Sequence, residues 1–279
     1  MGMTGALLGV SMTILARAHQ LELRLSRDPV EIEAAQRLRY RVFYEELGAV
    51  PTRVARAARI DRDRFDAVAD HLLVVDLGRS GVRQLPRVVG CYRLLRESVA
   101  RRAGGFYTAR EFDLGGVRCA DGEMMELGRS CVETEYRTGT VVQLLWRGIA
   151  DYIDGHGVGL MLGCASLPGT DPEAAAVALS FLHHNVLAPE GLRPRALADR
   201  YVPTDRIPAG EVDARAALKQ LPPLLKAYLR MGGMIGEGAV IDRQFNTIDV
   251  CLVLPTGRVQ ANYQRHYRHH RPSAAAAAA

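Results

Sequence analysis

The chain has 279 residues, 48% of them hydrophobic and 24% charged, with a formal net charge of +5. That balance excludes a disordered or collagen-like chain and allows one large core or two modest ones. Lys219 and Lys226 are the only lysines, so arginine carries the positive excess, which suits an acidic partner, an anionic membrane surface or nucleic acid. At the N-terminus, GALLGVSMTILA (residues 5–16) resembles the apolar part of a signal peptide, and Ala16-Arg-Ala18 a cleavage site. No basic residue precedes this stretch and it is too short to span a bilayer, so residues 1–20 are expected to form a packed or disordered extension. LELRL (21–25) alternates as a short strand. Asp28-Pro29 then caps a helix over EIEAAQRLRYRVFYEEL, where Ile32, Ala35, Leu38, Val42 and Leu47 recur at helical spacing until Gly48 and Pro51 stop it. Residues 53–64 form a polar connector with five arginines. HLLVVDL (71–77), RVVGCYRLL (87–95) and EMMELGRSCV (123–132) read as strands, and residues 108–114 form at most a short helix.

A long helix over residues 141–156 ends at Gly157 and leads to a buried strand, LMLGCA (160–165). Asp171-Pro172 opens a helix through AAAVALSFLHHNVL, and the proline-rich residues 188–210 read as loop. Residues 221–231 form a further helix, and DVCLVLP (249–255) is the last strand. This order gives a mixed α/β sheet without internal repeats. A basic tail (257–273) and an alanine tract with the look of a tag or placeholder (274–279) follow. Cys91, Cys119, Cys131, Cys164 and Cys251 are odd in number and scattered without CxxC, which argues against a disulfide framework or a metal site and for a reducing cytosol.

ELGRSCVETEYRTGTVVQLLWRGIADYI (126–153) resembles the central strand and helix of the GNAT acyltransferase superfamily, in which the amides and positive dipole end of the helix receive an acyl carrier's phosphate. Against the usual Arg/Gln-x-x-Gly-x-Gly/Ala fingerprint, Arg137-Thr138-Gly139-Thr-Val141 is one residue short. It disfavours a tight acetyl-CoA site and permits a single phosphopantetheine phosphate; an ordinary helix cap is the other reading. Arg39-Tyr-Arg-Val-Phe43, Phe65-Asp66-Ala-Val-Ala-Asp70-His71, Gly90-Cys-Tyr-Arg93-Leu and Glu126-Leu-Gly-Arg129 resemble, in order, the signature of acyl-homoserine-lactone synthases. That family carries a tryptophan where this chain has Gly48-Ala49. LPPLLKAYLRMGGMIGEGAVIDRQFNTIDVCLVLP (221–255) is similar to the C-terminal signature of ornithine–acyl-carrier-protein N-acyltransferases, and the resemblance spans residues 30–256.

The resemblance implies a GNAT-like mixed, mainly antiparallel sheet flanked by helices over residues 21–256, with a C-terminal extension. It implies transfer of a 3-hydroxyacyl chain from acyl-carrier protein to the α-amine of L-ornithine, giving lyso-ornithine lipid. The acyl phosphopantetheine arrives on its carrier, and no cofactor is held permanently. A cytoplasmic protein touching the inner membrane, with no nucleic-acid partner and no metal, is expected. A lactone synthase using S-adenosylmethionine and a non-catalytic lipid-binding protein are the alternatives.

In the strand ELGRSCV, period-two alternation puts Glu126 and Arg129 on opposite faces. Neither charge belongs in a core unless paired or used. Glu126 is the candidate base for the attacking amine, with a structural ion pair as the other reading. Arg129 is expected to pair with Asp66 or Asp70, or to fork onto a substrate carboxylate; Arg93 has the same two options. Arg39 and Phe43 complete the substrate set. Arg137, Thr138 and Gly139 are assigned to the pantetheine phosphate. Arg53, Arg56 and Arg59, three apart, would align on a helix as a docking face for the acidic carrier, unless they are a solvated charge run. Cys164 and Ser166 lack an evident base. His183 and His184 read as structural or surface residues. Asp242 and Arg243 shape the pocket or a turn.

Overall fold

The computed structural model describes residues 12–79, 86–137 and 139–257. In chain order these form β1 (Met12–Ala18), β2 (Leu21–Ser26), α1 (Pro29–Tyr40), α2 (Arg53–Ala58), β3 (Asp70–Asp76), β4 (Val88–Arg96), α3 (Glu97–Arg102), β5 (Phe112–Asp113) and β6 (Glu123–Val132). The second half adds α4 (Gly139–His156), β7 (Val158–Pro168), α5 (Ala176–Val186), β8 (Arg195–Ala196), α6 (Ala214–Gln220), α7 (Pro223–Arg230), β9 (Met234–Ile235), β10 (Val240–Asp242) and β11 (Thr247–Pro255). The part of the expected N-terminal extension that is described, Met12–Ala18, is a strand of the main sheet paired with β2. Residues 1–11 and most of the basic tail and alanine tract lie outside the described residues.

Asp28 caps α1 by accepting the N–H of Val30 at 2.8 Å, and Pro29 suits the first helical position. One continuous helix over residues 31–47 was the expectation. The structure ends the α-helix at Tyr40 and continues as a wider π-type turn, Arg41–Glu46, a feature common near functional sites. The polar connector likewise contains a helix, α2, because Thr52 accepts the N–H of Ala55 and nucleates it.

The main sheet runs β1-β2-β3-β4-β6-β7-β11-β10, with β9 added to β11; among the described residues every pairing is antiparallel except β6 with β7. Alternation divides β3: Leu72 and Val74 pack with Leu145 and Ile149 of α4, whereas Leu73 and Val75 pack with Ala35 and Leu38 of α1. Both faces of the sheet centre are thus covered, which is why β3 and β4 read as continuous apolar runs. No described helix is long and apolar enough to cross a membrane.

The parallel pairing ends at Glu126↔Leu162. Beyond it β6 pairs with β4 and β7 pairs with β11, so the sheet splits into a V. Gly163 sits at the apex, where a Cβ would stand 2.4 Å from the Leu127 carbonyl oxygen. Gly163→Ala should therefore lower stability by about 1–3 kcal/mol, read as a lower urea midpoint at unchanged slope. Gly155→Ala in α4, where nothing lies within 4 Å, should instead gain up to about 1 kcal/mol.

Candidate active site

The V opens onto a cavity of about 390 Å³. Residues 127–130 of β6 form one wall, and Cys164, Ala165 and Ser166 of β7 form the other. Leu224, Leu225 and Tyr228 of α7 add an apolar side, and Phe43 and Phe245, edge to face at 5.8 Å, also line the cavity.

Glu126 and Arg129 do not lie on opposite faces. On β6, residues 129 and 130 together oppose the single residue Tyr92 of β4, and Arg129 takes a left-handed conformation with φ 51°. This bulge adds one residue and resets the alternation, so both side chains line the cavity. Arg129 also has different partners from those expected. Its Nε donates to Asp61 and its Nη2 to Asp63, each at 3.2 Å, and its plane lies between the rings of Tyr107 and Phe245, 4.7 and 4.9 Å from their centroids. Asp70 is distant from this group, held by Arg27 and by the Tyr152 hydroxyl at 2.6 Å.

Arg39, Arg93 and Arg129 form one lattice with Asp61, Asp63 and Asp66. Arg39 forks onto Asp66 with two 2.8 Å bonds, and gives Nε to Asp61 Oδ2 at 2.8 Å and Nη2 to the Asp61 carbonyl. It is 1% exposed and does not line the cavity, so its assignment to the substrate set gives way to a structural one. Asp66 accepts from Arg39, Arg93, Gln36 and the Asp63 N–H, and is likewise internal. Burial alone would raise its pKa, but these partners outweigh it and hold the carboxyl well below the usual range.

Arg93 is shared: Nη1 donates to Asp63 at 2.6 Å and to Asp66 at 3.1 Å, while the buried Nη2 has no hydrogen bond. Across the bare Cα of Gly128 lies Glu126. A Cβ there would stand 3.6 Å from Glu126 Oε1 and 3.8 Å from Arg93 Nη2. Glu126 is 2% exposed and forms no ion pair among the described residues; its Oε2 accepts the Thr108 N–H at 3.1 Å. Burial raises its pKa against the smaller opposing effects of that hydrogen bond and of Arg93. A proton-accepting carboxyl and an unused guanidinium N–H thus flank one open spot.

The far wall carries acids. Asp242 and Asp249 line the cavity, and Glu111 lies beneath it, with Cys164 Sγ donating to Glu111 Oε2 at 3.4 Å. Burial, reinforced by Asp249, pushes Glu111 up to about 7; burial, reinforced by Asp242, pushes Asp249 up to about 6. The same burial holds the Cys164 thiol well above its usual value, which leaves no thiolate nucleophile.

The remaining candidates lie outside the cavity. Arg137 gives Nε to the Val132 carbonyl at 3.0 Å and pairs with Glu46, bracing the turn before α4; Gly139 starts that helix, and Thr138 lies outside the described residues. Arg53 and Arg56 are exposed on α2 without an ion pair among the described residues. Arg59 falls at the helix end with φ 53° and pairs with Glu45, so the expected alignment of three holds for two. His183 and His184 bond Thr204 and the Ile207 carbonyl away from the site. Sequence reasoning missed Tyr107, Phe245, Asp249, and Asp61 and Asp63 as lattice members. The run Asp61-Arg-Asp63-Arg-Phe-Asp66, alternating in charge before a buried strand, was the available signal for the last two.

A family model described as an acetyltransferase (GNAT) domain matches residues 38–147. Over 256 residues the chain is 46% identical to the L-ornithine N(alpha)-acyltransferase of Rhizobium meliloti, covering 91% of this chain and 86% of that protein. The protein of the same name from Agrobacterium fabrum is 47% identical over 257 residues, covering 91% and 87%. That of Rhodobacter capsulatus is 44% identical over 246 residues, covering 88% and 94%.

Two stability outcomes follow from the charges. Arg39→Met takes one of two guanidinium partners from each of the buried Asp61 and Asp66 and should cost about 3–5 kcal/mol in urea unfolding. Glu126→Gln should do the reverse. Because burial raises the folded pKa of Glu126, its stabilising contribution is present below the unfolded value and is lost as pH rises through the folded one. The melting temperature of the Gln variant should therefore gain on the wild type as pH rises above the ordinary carboxylate range near about 4.

Proposed function

The chain belongs to the L-ornithine N(alpha)-acyltransferase family, and from that premise we propose that it transfers a 3-hydroxyacyl chain from acyl-carrier protein to the α-amine of L-ornithine. It is an acyltransferase with the GNAT fold. The observation that carries the proposal is the approach of Arg93 Nη2 and Glu126 Oε1, unbonded to each other, to one point beside Gly128. An α-amino acid presents its carboxylate and amine on one carbon and needs an anion acceptor and a proton acceptor side by side. Arg93 supplies the unused donor for the carboxylate, and the lattice aspartates fix its plane. Glu126 Oε1 faces the amine while Oε2 is anchored by Thr108.

The amine nitrogen attacks the thioester carbonyl carbon; the C–N bond forms and the C–S bond breaks. Of the two protons the ammonium loses, one passes to Glu126 and on to solvent, and the other protonates the leaving sulfur. Raised by burial, Glu126 is a stronger base than a surface carboxylate. The split between β6 and β7 gives the extended pantetheine arm a path to this point, and the α7 side of the cavity suits the acyl chain. The product is a lyso-lipid, which calls for reversible membrane contact by a protein whose substrates are cytosolic.

The deciding assay supplies purified protein with 3-hydroxyacyl-carrier protein and ornithine, with S-adenosylmethionine as competing acceptor, and identifies the product by mass. The Nα-acylornithine mass supports the proposal; an acyl-homoserine lactone or no product refutes it. Glu126→Gln should cut kcat at least about 100-fold and remove the acidic limb of the pH profile. For the carrier, the Val50 N–H donates to the Gln244 carbonyl at 2.7 Å, tying the segment that leads into α2 to the Phe245 end of the cavity. Arg53 and Arg56 therefore stand near the mouth. Reversing both to Glu should raise KM for acyl-carrier protein about tenfold at low salt and leave a short acyl-pantetheine donor little changed. Equal loss with both donors would move these arginines out of docking.

A further inference from the structure

Among the described residues, three buried side-chain atoms without a hydrogen bond belong to residues lining this one cavity: Arg93 Nη2, Asp249 Oδ1 and Thr247 Oγ1. The first is a donor, the second an acceptor, and a hydroxyl can be either. An orphaned polar atom in a core is destabilising, so such atoms gathered at one cavity mark groups that a ligand completes. Arg93 is accounted for by a substrate carboxylate. Asp249, on the opposing wall, is not.

Asp249 lies on β11 opposite Ser166 of β7 and Val240 of β10, and is 5% exposed. The hydroxyls of Ser166 and Thr247 flank its carboxyl and favour its charged form, but neither meets Oδ1 in hydrogen-bonding geometry. Nearby charges aggravate the position. Asp242, opposite Thr247 on β10, repels it, with Oδ1 committed to the N–H groups of Gln244 and Phe245 at 2.8 and 3.0 Å, and Glu111 adds a third carboxyl. The cations on hand are spent or remote: Arg129 is bound to Asp61 and Asp63, and Arg200 donates to the Arg110 carbonyl and comes no nearer than 3.7 Å to Glu111. Among the described residues, the far wall therefore lacks a cation that donates hydrogen bonds to Asp249.

We propose that Asp249, with Asp242 and Thr247 beside it, receives the distal primary ammonium of the amino-acid substrate, so that this wall selects diamino acids over amino acids with aliphatic side chains. The assignment rests on the ornithine-acylating function proposed above and extends it to the side chain of the acceptor. A cavity with an unused guanidinium N–H at one wall and an unused carboxylate oxygen at the other matches a molecule bearing a carboxylate at one end and an ammonium at the other. A primary ammonium brings three donors, enough for Oδ1 and the Thr247 hydroxyl together. A divalent metal is the competing occupant, because Glu111, Cys164 and Asp249 can bring ligand atoms within 4.8 Å of one another. The hydrogen bond that Cys164 Sγ gives Glu111 weighs against it.

The test compares L-ornithine with L-norvaline, its analogue lacking the terminal amine, as acceptors for wild type and Asp249→Asn, before and after EDTA. Wild type should prefer ornithine by about 100-fold or more in kcat/KM, because norvaline leaves Asp249 unpaired. In Asp249→Asn that ratio should collapse towards unity, mainly through KM for ornithine, with kcat within a few-fold. Free ornithine should also raise the melting temperature of the wild type more than norvaline does, a measurement that needs no variant to fold. Wild type acylating both acceptors equally, or a variant that keeps the preference, overturns the assignment while leaving the ornithine-acylating function standing. So does loss of ornithine turnover in the wild type on EDTA treatment, which would place a metal at this wall. Wild type acylating neither acceptor removes the function itself.

Discussion

Three arginines and three aspartates share one buried lattice, and the geometry of the site depends on how its hydrogen bonds are distributed. Asp61, Asp63 and Asp66 arrive on the short stretch before β3, Arg39 comes from α1, Arg93 from β4, and Arg129 from the bulge in β6. Isolated, any of these ions would be costly in the core; joined, each carboxylate neutralises more than one guanidinium. Arg39 uses every nitrogen of its fork and welds helix to sheet. Arg93 leaves Nη2 without a hydrogen bond. That surplus nitrogen, held in a fixed plane by its neighbours, sets Arg93 apart from Arg39, whose nitrogens are all engaged.

The split between β6 and β7 gives that donor something to face. While the two strands pair, Glu126 is a strand residue with an awkward charge; where pairing stops at Glu126↔Leu162, the same residue becomes the first side chain of an open cleft. Gly163 permits the close approach at the apex, and Gly128 keeps the space between carboxyl and guanidinium clear. The bulge at Arg129 then turns a third charged group into the lattice instead of to the opposite face. Small local departures from regular pleating thus convert a buried sheet into a site.

Charge is arranged asymmetrically across the cavity. One wall joins the arginine lattice to Glu126, and the other gathers Asp242, Asp249 and Glu111 with little to balance them. The apolar side made by α7 separates these polar ends from a surface suited to an acyl chain. The proposed acylornithine product has such a division itself, with a zwitterionic head and a hydrocarbon tail.

The sequence by itself determined the class of sheet, the strands around 70–96 and 123–132, the long helix α4 and the family, because periodicity and motif order are local properties of the chain. It also singled out Glu126 and Arg129 by an anomaly, charge inside a buried strand, and Arg93 by its place in the family signature. The sequence could not decide which way Arg129 points, since a bulge is a relation between two strands and a period-two count assumes none. Nor could it separate Arg39 from Arg93: both are arginines in apolar surroundings, and only the assembled lattice shows which has a free N–H. Asp249 read as part of a hydrophobic strand, and its missing partner became visible once β7, β10 and the cavity closed around it. Tertiary structure decides such matters because hydrogen-bond satisfaction is counted over residues that the chain itself keeps far apart.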